Sequence, residues 1–237
     1  MPVTLRRHLA TVKVQGQRVV PLGAKKAGIK AGRGLLNRHG LNVVKSYSSS
    51  AERAFLGAKT AQRAFGIKNG KVPIRSSINF SNFFLDEKKA MEVLEKQYGN
   101  DEVKARDAWL RGDTFDGSLH PAKQYAENII KNRFGFALAA EAGKAGAGSK
   151  GVPRKVLMDN VTHSWIVESV VARLTKGMKS APKMAGLPKE TTGIEMTFKK
   201  QPNGKFRVNM TYEEFAGDVT KNFAECMPST VKKYLDL

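Results

Sequence analysis

The first carboxylate of the chain is Glu52; before it, Arg6, Arg7, Lys13, Arg18, Lys25, Lys26, Lys30, Arg33, Arg38 and Lys45 supply half of the formal net charge of +20. Glycines 16, 23, 28, 32, 34 and 40, Pro21 and the run Ser48-Ser49-Ser50 punctuate the same span. A segment that is cationic, glycine-rich and poor in large apolar side chains cannot offset its own ordering entropy by burial. Residues 1–50 are therefore expected to form an extended basic arm, irregular over 13–50. Its charges from Arg6 to Arg38 would meet an anionic surface or a carbonyl-rich partner.

Within the arm, Val3 to Val12 is acid-free, carries Arg6 and Arg7, and sets Leu5, Leu9 and Val12 on one helical face. It resembles a mitochondrial targeting sequence, and a mitochondrial location, in the matrix or at the matrix face of the inner membrane, is the expectation. Beyond residue 84 the chain is only modestly basic, with a net charge of +5, so the pI of about 10.1 describes the arm more than the body. The longest uncharged apolar stretch, Phe134 to Ala140, is far short of the roughly 20 residues that span a bilayer. Cys226 is the one cysteine, which excludes an internal disulfide and a zinc site built on several thiolates.

After the arm, Ser49 and Glu52 have capping-box spacing, and Ala54, Phe55, Ala58, Ala61 and Phe65 recur at helical intervals, predicting a helix over about 50–65. Ile78, Phe80, Phe83 and Phe84 form an apolar anchor. Asp86 and Gly99 bracket a second helix, Asp101 opens a third that runs to Gly112, and Pro121 opens a fourth with Tyr125, Ala126, Ile129 and Phe134 on its buried face. Residues 143–155 read as a flexible basic connector. Asp159 then precedes Val161, Trp165, Val170, Val171 and Leu174, a buried helix.

Near the C-terminus, Ile194, Met196 and Phe198 alternate before Pro202-Asn203-Gly204, and Phe206, Val208, Met210 and Tyr212 alternate after it. A two-residue turn would set these two apolar groups on opposite faces. A three-residue loop with a left-handed Gly204 pairs Phe198 with Val208 and Met196 with Met210, giving one buried face. Phe215, Val219, Phe223 and Cys226 suggest a last amphipathic helix. The fold class expected is α+β and mainly helical: a small helical body (51–142), the connector (143–155), and a helix, one β-hairpin and a C-terminal helix (156–237), preceded by the arm.

Candidate chemistry is sparse. Gly146 to Gly151 spells G-x-G-x-x-G, but a helix precedes it and Val152-Pro153 follows where a phosphate-binding helix should open. Gly143 to Lys150 nearly spells a phosphate loop with its last two residues reversed. Lys144, Lys150, Arg154 and Lys155 make this segment a second basic loop. Asp159 and His163 stand one helical turn apart if that stretch is helical, and Asp113, Asp116 and His120 are explained as turn formers. The histidines at 8, 39, 120 and 163 show no nucleophile, base and orienter together.

These features predict no catalytic, metal or cofactor-binding residue. The expected function is a non-catalytic subunit of a large mitochondrial assembly, peripheral to an energy-transducing complex such as ATP synthase or the respiratory chain. Its partners would be other subunits, with an anionic lipid surface as a further one. The alternatives are a mitochondrial ribosomal or other RNA-binding protein that uses the arm, and a nucleotide-binding enzyme that uses the 143–155 loop.

Overall fold

Val3–Arg7 (β1) is a short apolar strand with one basic end, and it finds strand partners on both sides. Val156–Thr162 (β5) runs parallel to it, with Val3 opposite Met158 and Arg7 opposite Thr162. Gly193–Lys200 (β6) runs antiparallel along the other edge, with Val3 opposite Met196. Val43–Ser48 (β4) continues the parallel half beyond β5, and Phe206–Tyr212 (β7) and Phe215–Asp218 (β8) extend the antiparallel half. The result is a six-stranded mixed sheet in the order β4-β5-β1-β6-β7-β8, accompanied by a separate two-stranded ribbon, Val12–Val14 (β2) with Gln17–Val19 (β3). This is a computed structural model, and it describes residues 2–14, 17–41, 43–144, 156–179, 181–182 and 192–237.

Helices cover both faces of the parallel half. Leu22–His39 (α1) and Glu52–Ala64 (α2) pack on one face, where Ala54, Ala58 and Val161 cluster and Leu35 joins Val44 and Leu157. On the other face, Ser164–Leu174 (α7) buries Ile166, Val167, Val170 and Val171 against a core that includes Val3, Leu5 and Met158. Glu87–Tyr98 (α3), Glu102–Leu110 (α4) and Ala122–Ile129 (α5) build outward from that core. A single π turn, Ile130–Gly135, links α5 to Phe136–Lys144 (α6) and keeps Ile130 and Phe134 buried. Thr220–Glu225 (α8) and Ser229–Lys232 (α9) close the chain.

The expected helical body with one hairpin and a basic arm is overturned. The supposed arm contributes β1, an interior strand of the sheet, so its apolar residues Val3 and Leu5 are fully buried by partners that lie more than 150 residues away. The stretch read as irregular contains the 18-residue α1. Its Gly28 and Gly32 lie one turn apart and let α1 approach α2 closely. A Cβ at Gly28 would stand 2.6 Å from Thr60 Oγ1, and one at Gly32 would stand 2.7 Å from Ala64 Cβ. Glycine here serves contact between helices, not chain freedom.

Two further elements differ from expectation. The helix placed from Asp159 onward begins only at Ser164, because residues 156–162 are buried on both faces as a parallel strand and so lack the alternation that marks a half-buried one. Phe215 to Asp218 is a strand, not the start of the last helix. Ser49 does not cap α2, whose N-cap is Ala51 without a side-chain bond. Elsewhere the local signals coincide with the structure: Asp86 accepts from Lys89 N–H at 3.0 Å, Gly99 ends α3 at φ +57, and Asp101 accepts from Val103 and Lys104. The hairpin has Phe198 opposite Val208 and Met196 opposite Met210, with Gly204 at φ +79.

Candidate active site

The parallel strands β4, β5 and β1 end together, and ligands of open α/β sheets bind at such carboxyl ends. Because Arg7 is in register with Thr162, the next residues, His8 and His163, emerge side by side. The His8 N–H donates to Thr162 O at 2.9 Å. The two imidazoles stand edge to face, with centroids 5.1 Å apart and planes at 72°. Both rings are largely buried, with 5% and 7% exposure.

Each ring has its tautomer set by a partner of one polarity. His8 Nδ1 lies 2.8 Å from Leu9 O, and a carbonyl only accepts, so Nδ1 carries the proton and Nε2 keeps its lone pair. His163 Nδ1 lies 3.3 Å from Arg53 Nη2, and a guanidinium only donates, so Nδ1 accepts and Nε2 carries the hydrogen. One ring thus presents a nucleophilic nitrogen and the other a donor.

Arg7 and Arg53 line the same cavity of about 510 Å³, together with Ser164 and Trp165 from the first turn of α7. Arg53 sits in the first turn of α2, which follows directly from β4. Two guanidiniums and the amide ends of two helices therefore surround the histidine pair, an arrangement suited to a tetrahedral oxyanion. Glu102, exposed at the start of α4, is the one carboxylate among the described residues that line the cavity. Phe83 and Leu119 form part of its inner wall, and the strap carrying Phe83 is tied to the strand ends by Thr162 Oγ1, which donates to Ile78 O at 2.7 Å.

The cations expected on an exposed arm are dispersed. Arg6 is interior: its Nε and Nη2 donate to Asp159 Oδ1 and Oδ2 at 2.6 and 2.8 Å. Lys13 and Arg18 oppose one another in the β2–β3 ribbon. Lys25 is half-buried on α1, where Lys26, Lys30 and Arg33 are exposed. Arg38 pairs with Glu195 at 3.0 Å. Lys144 ends α6, whereas Lys150, Arg154 and Lys155, with the glycine motifs at 143–151, lie almost wholly outside the described residues. Of the arm cations whose side chains are described, Arg7 alone lines the cavity. Asp113 is engaged by Tyr98 Oη and Phe115 N–H, and the described residues contain no cluster of three or more metal-ligating side chains.

His163 was expected at most beside Asp159 on a helix, but Asp159 lies on β5 and pairs with Arg6, and neither His8 nor Arg53 carried a functional expectation. One signal was present: a short segment opening with Val and Leu runs into a histidine twice, as Val3-Thr4-Leu5-Arg6-Arg7-His8 and as Val156 to Thr162-His163, although Arg6, Arg7, Asp159 and Asn160 interrupt its apolar character. The expectation of a structural subunit without catalytic residues rested on histidines scattered along the chain. It is overturned by their convergence and by the fold. The RNA-binding alternative and the nucleotide loop drew on the same arm and connector, and of these alternatives the enzymatic one agrees better with the site.

No family model and no curated protein matches the sequence. Solved structures do. The chain is similar to the native structure of a mycobacterial glucosyl-3-phosphoglycerate phosphatase, with a TM-score of 0.54, 15% identity, and coverage of 89% of this chain and 97% of that one. It is also similar to a phosphoglycerate mutase from Bacillus anthracis, with a TM-score of 0.53, 17% identity and coverage of 95% and 96%. A structure described as mycobacterial hydrolase 2 matches with a TM-score of 0.57, 16% identity and coverage of 98% and 94%. The six-stranded mixed sheet with its flanking helices is the phosphoglycerate mutase/histidine phosphatase fold.

Proposed function

We propose that this protein is a phosphomonoesterase that works through a phosphohistidine at His8. The observation that carries this reading is the edge-to-face pair of His8 and His163, whose Nδ1 atoms meet a carbonyl and a guanidinium respectively, framed by Arg7 and Arg53. The phosphatase and mutase activities named for proteins of the same fold support it.

In the first step, His8 Nε2 attacks phosphorus, the P–O bond to the alcohol breaks, and the departing oxygen takes a proton from the Glu102 carboxyl. In the second, water attacks phosphorus, its proton passes to the Glu102 carboxylate, and the P–N bond breaks to return the lone pair to His8. Arg7, Arg53 and the His163 Nε2–H hold the non-bridging oxygens as charge shifts among them.

The test is a rapid quench during turnover of p-nitrophenyl phosphate. A phosphoenzyme stable in alkali and lost in acid is expected, and His8→Ala should remove it and lower kcat at least about 10⁴-fold. Glu102→Gln should lower kcat/KM, which reports transfer to His8, by about 10²-fold or more for alkyl phosphates yet barely for p-nitrophenyl phosphate, whose phenolate leaves without a proton. The kcat itself should fall for both, because the second step needs the base. Full turnover by His8→Ala would refute the proposal.

A further inference from the structure

The cavity is chemically divided, and its second half is not used by the phosphoryl chemistry. The cations among its described lining residues belong to the floor, where Arg7 and Arg53 stand with the histidines. The rest of the lining is largely apolar: Phe84, Met91 and Leu94 are partly exposed, and Phe115, Leu119 and, next to the histidines, Trp165 are buried. We infer that this wall is a leaving-group subsite, and that the substrates are monoesters of apolar, ring-bearing alcohols and not of acids or polyphosphorylated polyols. The inference rests on the phosphomonoesterase reading and specifies its substrate class.

Three observations carry it. First, charge: a second anionic group on the substrate, such as the carboxylate of a phosphoglycerate, would meet no cation among the described residues of this wall and would face Glu102. Leaving such a carboxylate desolvated and unpaired is costly, so the wall discriminates by repulsion as well as by attraction. Second, exposure: Met91 on α3 remains 50% exposed, and Phe84 and Leu94 are only partly buried, so apolar surface is open at the cavity. Methionine adapts its shape to a ring and makes favourable sulfur–aromatic contacts.

Third, rigidity. Phe83 makes edge contacts with Phe84 at 5.1 Å and with Trp165 at 5.7 Å, and Phe115 meets Trp165 at 6.3 Å. Phe115 and Asp116 both hold positive φ, +52 and +53, a left-handed pair that is unfavourable for a bulky residue. Asp113 Oδ1 accepts from Phe115 N–H at 2.7 Å, Ser118 Oγ donates to Phe115 O at 2.6 Å, and Tyr98 stacks on the ring at 5.1 Å. The turn is held in this conformation and keeps the Phe115 ring in the wall. The buried rings of Phe83, Phe115 and Trp165 thus make a rigid backing, and a ligand would meet the surface of Phe84, Met91 and Leu94, where a flat hydrocarbon ring loses little freedom on docking.

The test compares esters of alcohols with similar intrinsic reactivity: 2-(1-naphthyl)ethyl phosphate, glycerol 1-phosphate and 3-phosphoglycerate. The expected order places the naphthyl ester first in kcat/KM, at least about 100-fold above 3-phosphoglycerate. Met91→Lys, an exposed change compatible with folding, should lower kcat/KM for the naphthyl ester about tenfold through KM and narrow the gap to 3-phosphoglycerate. Calorimetry with naphthylmethylphosphonate and phosphonoacetate reads the wall without turnover, and the first should bind at least about 30-fold more tightly. Equal or reversed order among the phosphonates or the esters overturns the subsite. If no ester is hydrolysed, the esterase reading fails, and the phosphonates alone decide the subsite.

Discussion

Leu9 O, 2.8 Å from His8 Nδ1, fixes which nitrogen of a neutral His8 carries the proton, and in the proposed reaction that leaves Nε2 as the attacking atom. Beneath the site, charge is managed differently. Arg6 and Asp159 form a pair with side-chain exposures of 5% and 0%, and Thr4 Oγ1 adds a bond to Asp159 at 2.8 Å. Burial opposes the Arg6 charge, but the field and hydrogen bonds of Asp159 outweigh it and raise the guanidinium above its ordinary pKa. Removing one member strands the other, so Asp159→Ala should cost about 3–5 kcal/mol in urea unfolding, and Arg6→Met with Asp159→Leu should recover much of that loss. Glu168 has the opposite balance. Burial pushes its carboxyl up to about 8, against the pull of Arg106 at 2.6 Å and with a further rise from Asp107. Between the ordinary value of 4.5 and about 8 the folded chain binds more protons at this group than the unfolded chain, so its contribution to stability falls as pH rises through that window. Urea midpoints measured from pH 5 to 8 should show this decline, and Glu168→Gln should flatten it.

Between elements, α1 packs closely against α2 near the site. A Cβ on Gly28 would lie 2.9 Å from Leu9 Cδ2 as well as 2.6 Å from Thr60 Oγ1, and Leu9 is the residue whose carbonyl orients His8. Gly28→Ala should therefore destabilise the fold by about 1–3 kcal/mol and lower kcat at least about tenfold. Gly34, in the same helix, has only Arg38 Nη1 within reach at 3.4 Å. Gly34→Ala should stabilise by about 0.5–1 kcal/mol with activity unchanged. Thermal melts and steady-state rates of the two variants distinguish a contact glycine from a merely helical one. The same comparison explains why α1 was illegible. Its six-residue window Gly28 to Arg33 scores as a linker because glycine is penalised in isolated helices, whereas the contact with Ala61 and Ala64 that rewards it lies on another element. By contrast α3 and α4 were legible, because Asp86, Gly99 and Asp101 satisfy helix ends within a few residues of themselves.

Across the whole molecule, β1 joins the parallel half of the sheet to the antiparallel half, pairing with β5 on one side and β6 on the other. A detachable arm could be removed without harm. An interior strand cannot, since its loss strips ladder bonds from two neighbours and exposes Val3 and Leu5's contacts in the main core. Deletion of residues 1–51 should abolish cooperative unfolding, with circular dichroism and urea titration as the measurement. Sequence alone determined what is settled over short separations: the capped helices α3 and α4, the buried face of α5, and the β6–β7 register imposed by a three-residue loop. Tertiary structure alone decided the parallel strands, the close α1–α2 contact and the meeting of His8 with His163. Parallel pairing carries no turn signal of its own, and strands buried on both faces lose the alternation that would mark them. The site inherits that dependence, because its two rings face each other only once β1 and β5 are in register.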